Sequence, residues 1–260
     1  MKRWWAVAVG LAAGALFIME RRRPLRVSRE PGPARIARNA TIGLLAAAST
    51  VVCDLPVVAP AQRLAERRGI GLLRWLRLPA ALRVVAGFLL LDYTLYLWHW
   101  LNHRSPALWR FHAVHHIDRD LDSTTGVRFH FGELALAAGF RAAQVLFLGV
   151  DRGTLRAWQR LLFLSVVFHH SNLDLPDSIE ALLVHVIATP KMHGIHHSAQ
   201  PEHLASNFSS LLSCWDRLHR TLRLDVPQTE LTMGLQRFGD PRDVTLEQSL
   251  RLPFRGDLQW

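Results

Sequence analysis

The sequence predicts an all-α membrane protein, a bundle of about four hydrophobic segments with a cytosolic helical cap that carries a histidine-rich dimetal site. Three observations predict this architecture. Alternating β patterns are scarce, long apolar runs are bounded by arginines, and histidines recur three and four residues apart, a spacing that places side chains on one face of a helix. The length of 260 residues suits one domain, with or without a membrane anchor.

The charge balance favours a membrane over a nucleic acid as the partner of this chain. There are 31 Lys+Arg against 21 Asp+Glu, a formal net charge of +10, while 50% of the residues are hydrophobic. The arginines bracket the apolar runs instead of forming a patch interleaved with aromatic residues, and no nucleic-acid-binding motif is visible in the sequence. Cys53 and Cys214 have no metal or redox spacing, and we interpret both as ordinary thiols.

The N-terminal part is expected to attach the chain to the membrane. Residues 4–19 form an apolar run that meets three consecutive arginines, which favours an uncleaved anchor over a signal peptide. Residues 20–39 are expected to form a basic, extended linker on the cytoplasmic side. Residues 40–61 are a second membrane segment, which either crosses fully or re-enters, and residues 62–78 suit an interfacial helix.

The middle of the chain supplies the other membrane segments. Residues 79–98 form a third apolar segment that leads into the first histidine pair, and residues 131–168 form a hydrophobic hairpin. Arg141 and Gln144, three apart in the first arm of this hairpin, are expected to face protein or an aqueous pocket, because an arginine that faces lipid is costly. Beyond His169 the chain is polar enough to leave the bilayer.

Three histidine motifs predict a metal site. Five of the 14 histidines lie between His99 and His116, in one HxxxH and one HxxHH motif, and a second HxxHH motif follows at His193. A zinc site uses four ligands, or three and an open position, so eight histidines imply two metal ions held close together. Imidazole binds Fe, Zn, Cu and Ni, and ligand type alone leaves the metal open. The eight candidate ligands are His99, His103, His112, His115, His116, His193, His196 and His197.

The order of these motifs and their surroundings resemble a known family. The blocks "DYTLYLWHWLNH", "LWRFHAVHH", "VRFHFGE", "HHSN", "TPKMHGIHHS" and "NFSSLLSCWDRL" are similar to those of the fatty acid hydroxylase/sterol desaturase superfamily of integral membrane di-iron oxygenases. The resemblance implies an enzyme, a di-iron oxidoreductase with two Fe ions, that uses O2 as co-substrate to hydroxylate or desaturate a lipid (fatty acyl, sterol or related). It also implies a separate electron donor, ferredoxin or a cytochrome b5-like protein with its reductase, because no haem or flavin motif is visible in this sequence. The expected location is the inner, cytoplasmic membrane, with the active site on the cytoplasmic side.

The resemblance adds further site residues. His170 precedes the asparagine of "HHSN", where family members have an additional ligand. Asp92, His130 and Glu133 are expected to support the ligands, since metal-bound histidines donate their other ring nitrogen to a carboxylate or carbonyl. The implied domains are an anchor, linker and interfacial helix (1–78), a hydroxylase-like catalytic domain (79–225) and a C-terminal tail (226–260).

Two alternatives remain open at this point. The chain could be a non-catalytic membrane protein that binds metal or haem and transfers electrons, although haem needs only one or two axial histidines. It could also be a family member that has lost activity. Arg104 stands where many relatives have an acid, Phe131 where they have proline, and Arg220 where glycine is common.

Overall fold

The computed structural model describes residues 2–30 and 32–256 as helices joined by loops, without a strand in these ranges. Three isolated bridges are their only β pairing, so the predicted all-α fold is confirmed. The helices are α1 (Lys2–Arg22), α2 (Pro33–Ser49), α3 (Leu55–Arg68), α4 (Leu72–Trp75), α5 (Ala80–Arg104), α6 (Pro106–His116), α7 (Phe131–Leu148), α8 (Arg152–His170), α9 (Asp177–Leu183), α10 (Pro190–His196), α11 (Pro201–Leu204), α12 (Cys214–His219) and α13 (Leu246–Arg251). A π-helical turn, Thr50–Asp54, joins α2 to α3, and short 3-10 turns lie at Thr125–Val127, Gln228–Glu230, Gln236–Phe238, Pro241–Val244 and Leu252–Phe254.

Three helical stretches of the described chain are long and apolar enough to cross a membrane. They are Pro33–Trp75, which contains α2, the π turn, α3 and α4, and the helices α5 and α7. Most of their residues are not buried within the chain, as expected for helices that contact lipid. Helix α1 is not among the three, so its predicted role as an anchor stays a prediction.

The long helices form two hairpins that point away from the histidines. Helices α2 and α3 lead to a turn at Gly69–Gly71 and α5 returns, while α7 leads to Gly149 and α8 returns. The two turns touch, because a Cβ added to Gly71 would lie 2.3 Å from the Cα of Gly149. Both glycines have a positive φ, 115° for Gly71 and 69° for Gly149, which residues other than glycine rarely adopt. The chain shows no reversal within residues 40–61, so the re-entrant alternative does not describe this structure.

Half of the linker predicted as extended is helical, and part of it is packed against the rest of the chain. Helix α1 continues to Arg22 and α2 begins at Pro33, which confines the non-helical part to about ten residues. The Arg35 guanidinium is buried, where it donates to Asp118 at 2.9 and 2.8 Å and to Asp122 at 2.7 Å. The prediction of an extended linker is wrong for its helical half, where Arg35 pairs with acids that follow α6.

The residues after 225 also pack tightly. Phe238, Val244 and Leu252 form an apolar cluster with Trp109 of α6 and with Ile117, which follows that helix. Together with residues 105–130 and 171–225, this tail forms the part of the molecule that we call the cap. The predicted catalytic domain, residues 79–225, thus packs against residues on both sides of it. Arg35 before it contacts Asp118, and Phe238 after it contacts the cluster around Trp109.

Candidate metal centre

Nine histidines, eight on four helices and His197 directly after α10, meet where the two hairpins of long helices join the cap. Each belongs to one of two groups, and within a group the potential ligand nitrogens all lie within 4.8 Å of one another. All nine side chains are buried. The first group contains His99, His103, His112, His116 and His196, and the second contains His115, His170, His193 and His197. These are the nine histidines that the sequence analysis named, and the division into two groups matches a site for two ions.

Each HxxHH motif lies on a short helix with a defined start. Proline is the first residue of both α6 and α10, where its missing N–H costs no hydrogen bond and its fixed φ suits a helix. Helix α6 ends at His116 and α10 at His196. Each motif contributes to both histidine groups, because residues at i, i+3 and i+4 lie side by side on one helix face. For example, His112 belongs to the first group and His115 to the second.

Three of the rings are held through Nδ1 by backbone carbonyls, which leaves their Nε2 available for a metal. Nδ1 donates to a backbone carbonyl in His99 (Phe208 O, 2.7 Å), in His196 (Ser206 O, 2.7 Å) and in His170 (Val166 O, 2.7 Å). A carbonyl oxygen only accepts, so the ring proton lies on Nδ1 and Nε2 keeps its lone pair. Burial lowers the pKa of His170 and His196 to about 3, which keeps both rings neutral.

The bare nitrogens face one another at distances that suit a shared ion. Nε2 of His99 lies 3.1 Å from Nε2 of His196, and Nε2 of His115 lies 2.9 Å from Nε2 of His170. Two lone pairs cannot hydrogen-bond, whereas two nitrogens about 2.1 Å from one ion, at a right angle, would lie about 3.0 Å apart. The buried Nε2 atoms of His103, His112 and His116 have no hydrogen-bond partner among the described residues. The donor set therefore fits a pair of metal ions.

Glu133 supports the site directly. Its Oε1 accepts a hydrogen bond from Nδ1 of His112 at 2.8 Å, and both side chains are buried. A carboxylate in this position orients a ligating ring and increases its basicity. This contact is the one that the sequence analysis expected for Glu133.

Asp92 and His130 contact the surroundings of the site and not the rings of the nine histidines. The Asp92 carboxylate accepts from the indole nitrogens of Trp158 (3.3 Å) and Trp215 (2.7 Å) and from the Leu212 backbone N–H (3.1 Å). His130 caps α7, since its Nδ1 accepts from the Gly132 N–H at 3.0 Å. Both residues fix the helices that carry ligands or Glu133, so any support they give to the metal site acts through helix position.

The loop at residues 206–209 supplies supports that the sequence analysis missed. Its carbonyls from Ser206 and Phe208 hold His196 and His99, as described above. Asn207, between them, has φ +56°, and its side chain donates to Met192 O at 2.8 Å and accepts from the Arg223 N–H at 2.7 Å. Asn tolerates this left-handed conformation better than most residues. The asparagine in the block "NFSSLLSCWD" was a sequence signal that could have pointed to this loop. The supporting carbonyls could not be found in this way, because every residue has a backbone carbonyl.

A second missed support is Arg128. Its guanidinium is completely buried and donates to Val114 O (2.9 Å), Asn39 Oδ1 (2.7 Å) and Ser249 Oγ (2.7 Å). Its own carbonyl accepts from Nδ1 of His115 at 3.3 Å. One arginine thus joins α2, α6 and α13 beside a candidate ligand.

A mostly apolar cavity leads from the membrane helices to both histidine groups. Its volume is about 190 Å³, and α5, α7 and α8 supply most of its wall. Apolar side chains such as Leu95, Phe140 and Leu162 line its length, and His112 and His170 are among the histidines at one end. Arg141 and Gln144 also line it, as the sequence analysis expected for polar side chains in this arm. His169, which was not assigned as a ligand, lines the same cavity.

Comparison with known proteins identifies relatives that match about half of this chain. Ornithine lipid hydroxylase OlsE of Rhizobium tropici is 31% identical over 147 residues, which cover 54% of this chain and 41% of that protein. A cholesterol 25-hydroxylase-like protein of Danio rerio is 31% identical over 156 residues, covering 56% of this chain and 59% of that protein. Alkylglycerol monooxygenase of Xenopus tropicalis is 26% identical over 143 residues, 55% of this chain and 30% of that protein.

The chain therefore spans between about a third and three fifths of these relatives. No solved structure matches it. The family model for fatty acid hydroxylase matches residues 84–221, more than half of the chain and the region that holds all nine histidines. This confirms the resemblance inferred from the motifs, and the chain belongs to the fatty acid hydroxylase family within the fatty acid hydroxylase/sterol desaturase superfamily.

Proposed function

We propose that this protein is a membrane-bound di-iron oxygenase that hydroxylates or desaturates a lipid, using O2 and electrons from a separate donor. The observation that carries the proposal is the cavity between α5, α7 and α8, because it leads from two helices that suit a membrane, α5 and α7, to two buried groups of histidines. The names of the relatives, lipid hydroxylases and a monooxygenase, support the same reaction class. We propose residues 79–225 as the catalytic domain.

The nine histidines would hold the two iron ions, five at one position and four at the other. When bound, the irons supply the activation of dioxygen and the oxidation of an unactivated carbon. The described residues fix the ligand rings in advance, through the carbonyls of Ser206 and Phe208 and the carboxylate of Glu133. Rings held in this way need little rearrangement when the metal arrives.

The walls of the cavity have the other task. Leu95, Phe140 and Leu162 would pack along a lipid chain and exclude water, so that one carbon stays next to the site. These apolar side chains offer no hydrogen bonds to water, so water does not compete with the lipid chain for this part of the cavity. In this scheme the protein selects the carbon by position, while the metals provide the reactivity.

The electron donor would approach from the cap. A second cavity, of about 660 Å³, lies on that side and is lined by His103, Arg104 and Trp109. The Trp109 ring lies 5.0 Å from the ring of His103, centre to centre. Electrons from a ferredoxin or a cytochrome b5-like protein with its reductase could enter there without crossing lipid. We place this face on the cytoplasmic side of the cytoplasmic membrane.

Labelled oxygen tests the proposed reaction. Cells that produce the wild-type chain are grown under 18O2, and their lipids are compared by mass spectrometry with those of cells producing His196→Ala or the control His185→Ala. His185 is exposed and lies outside both histidine groups. We expect an oxygenated or desaturated lipid in the wild type and in His185→Ala, and its loss in His196→Ala. Identical lipids in all three would contradict the proposal.

A further inference from the structure

The polar end of the apolar cavity has no task in the proposed chemistry. Helix α7 lines the cavity with one face, at Glu133, Leu134, Ala137, Phe140, Arg141 and Gln144. Glu133 holds a candidate ligand, and Arg141 lies about 12 Å further along the helix axis, at 1.5 Å per residue. Polar side chains in a membrane helix are costly and mark functional positions.

Arg141 is paired, but its pairing leaves most of its donors available. Nε lies 3.1 Å from Oδ1 of Asp54, the last residue of the π turn between α2 and α3, in an ion pair whose geometry does not make a hydrogen bond. A guanidinium has five N–H donors, four of them on the two Nη atoms beyond this contact. π turns often occur at functional sites, because the extra residue redirects a side chain.

Gln144, one helical turn further, also offers a group to the cavity. Its amide nitrogen donates to Leu91 O at 3.1 Å and to Thr94 Oγ1. Both amide protons are used by these bonds, so the amide oxygen is the atom of this side chain that can accept a further hydrogen bond. Donors from Arg141 and an acceptor from Gln144 therefore lie at the same end of the cavity.

Charge decides which ligand suits this end. Asp54 is not among the residues that line the cavity, but at 3.1 Å its charge offsets that of Arg141, so an anionic group at this end gains little net attraction and a cation meets the arginine first. A hydroxyl both donates and accepts, and it carries no charge into a region of low dielectric. We propose that Arg141, held in place by Asp54, and Gln144 form a binding site for the uncharged hydroxyl of a lipid alcohol, about 12 Å along α7 from the ligand support Glu133. This inference rests on the proposed function, because it assigns the substrate class of the same cavity.

Photo-crosslinking tests the site without turnover. The metal-loaded protein in nanodiscs, without an electron donor, is irradiated with hexadecanol, hexadecane or hexadecanoate probes that carry the same diazirine in the chain. Labelled residues are then mapped by mass spectrometry. The hexadecanol probe is expected to label residues such as Leu95, Phe140 and Leu162 about tenfold more than the hexadecane probe, the ratio given by about 1.4 kcal/mol. The hexadecanoate probe is expected to label less than hexadecanol.

A double variant removes the charged part of the polar end without leaving an unpaired charge. Arg141→Met with Asp54→Leu is expected to lose most of the preference for hexadecanol over hexadecane, with Gln144 left as the one proposed partner of the hydroxyl. Its unchanged labelling by hexadecane reports that the cavity is intact. Arg156→Met, on an exposed position of α8 outside the cavity, is the control and should keep the wild-type ratio.

Equal labelling by hexadecanol and hexadecane in the wild type would overturn the inference, and so would preference for hexadecanoate. Either result would leave the proposed oxygenase standing, since a chain would still reach the histidines. Labelling that avoids the cavity with all three probes would contradict both the inference and the proposed function.

Discussion

Replacing Glu133 by alanine should weaken metal binding without removing a ligand. Glu133 is 5% exposed, and its only hydrogen bond among the described contacts is the 2.8 Å bond from Nδ1 of His112. A buried bond to a charged group contributes about 1.5–3 kcal/mol. Removal of such supports lowers metal affinity about 10- to 100-fold, or about 1.4–2.7 kcal/mol. Glu133→Gln keeps an oxygen that accepts from Nδ1, so its loss should be smaller than that of the alanine variant.

The assay is a competition titration of Fe²⁺ against a chelator of known affinity, with the protein in nanodiscs under anaerobic conditions. Glu247→Ala, on an exposed side chain of α13, is the matched control and should bind metal like the wild type. An affinity of Glu133→Ala within twofold of the wild type would refute the reasoning that this carboxylate orients a ligand.

Three further substitutions test the supports around the site. Asn207→Ala removes the hydrogen bonds to Met192 and Arg223 at a residue with a positive φ. We expect the free energy of unfolding, measured by chemical denaturation, to fall by about 1–3 kcal/mol and metal binding to weaken. Unchanged values in both measurements would contradict the assigned role. Arg128→Met leaves the buried partners of three hydrogen bonds unsatisfied and should lower the free energy of unfolding by about 3–5 kcal/mol. A loss below about 1 kcal/mol would contradict the supporting role of Arg128. Gly149→Ala places a Cβ 2.7 Å from Ile70 O at a strained φ and should lower the melting temperature by several degrees; a rise would show that the two turns do not need glycine.

The local part of the site could be predicted because short spacings act within one helix. His112, His115 and His116 share a face as soon as α6 forms, and α6 is only 11 residues long, from Pro106 to His116. Three motifs of this kind, with His170, supply the full set that the structure brings together. The expected contact between Glu133 and a ligand followed from the same chemistry, since a metal-bound imidazole needs an acceptor for its second nitrogen.

Contacts made over long sequence distances could not be predicted in the same way. Asp92 is a buried acid, as its apolar surroundings indicated, but its partners are indoles 66 and 123 residues away. Arg35 pairs with Asp118 over 83 residues, and nothing in a chain with 31 basic residues singles out that arginine. Ser206 and Phe208 act through carbonyls, which every residue possesses.

Metal content tests the central claim most directly. The wild-type protein, purified in nanodiscs after iron loading and removal of loosely bound metal, is analysed by inductively coupled plasma mass spectrometry beside His115→Ala, His196→Ala and the control His185→Ala. The two histidine groups predict about two iron ions per chain in the wild type and the control. His115→Ala and His196→Ala, which remove one ligand from each group, should each hold less. A wild type without iron, or ligand variants that retain the full amount, would contradict the account of these nine histidines as a dimetal centre.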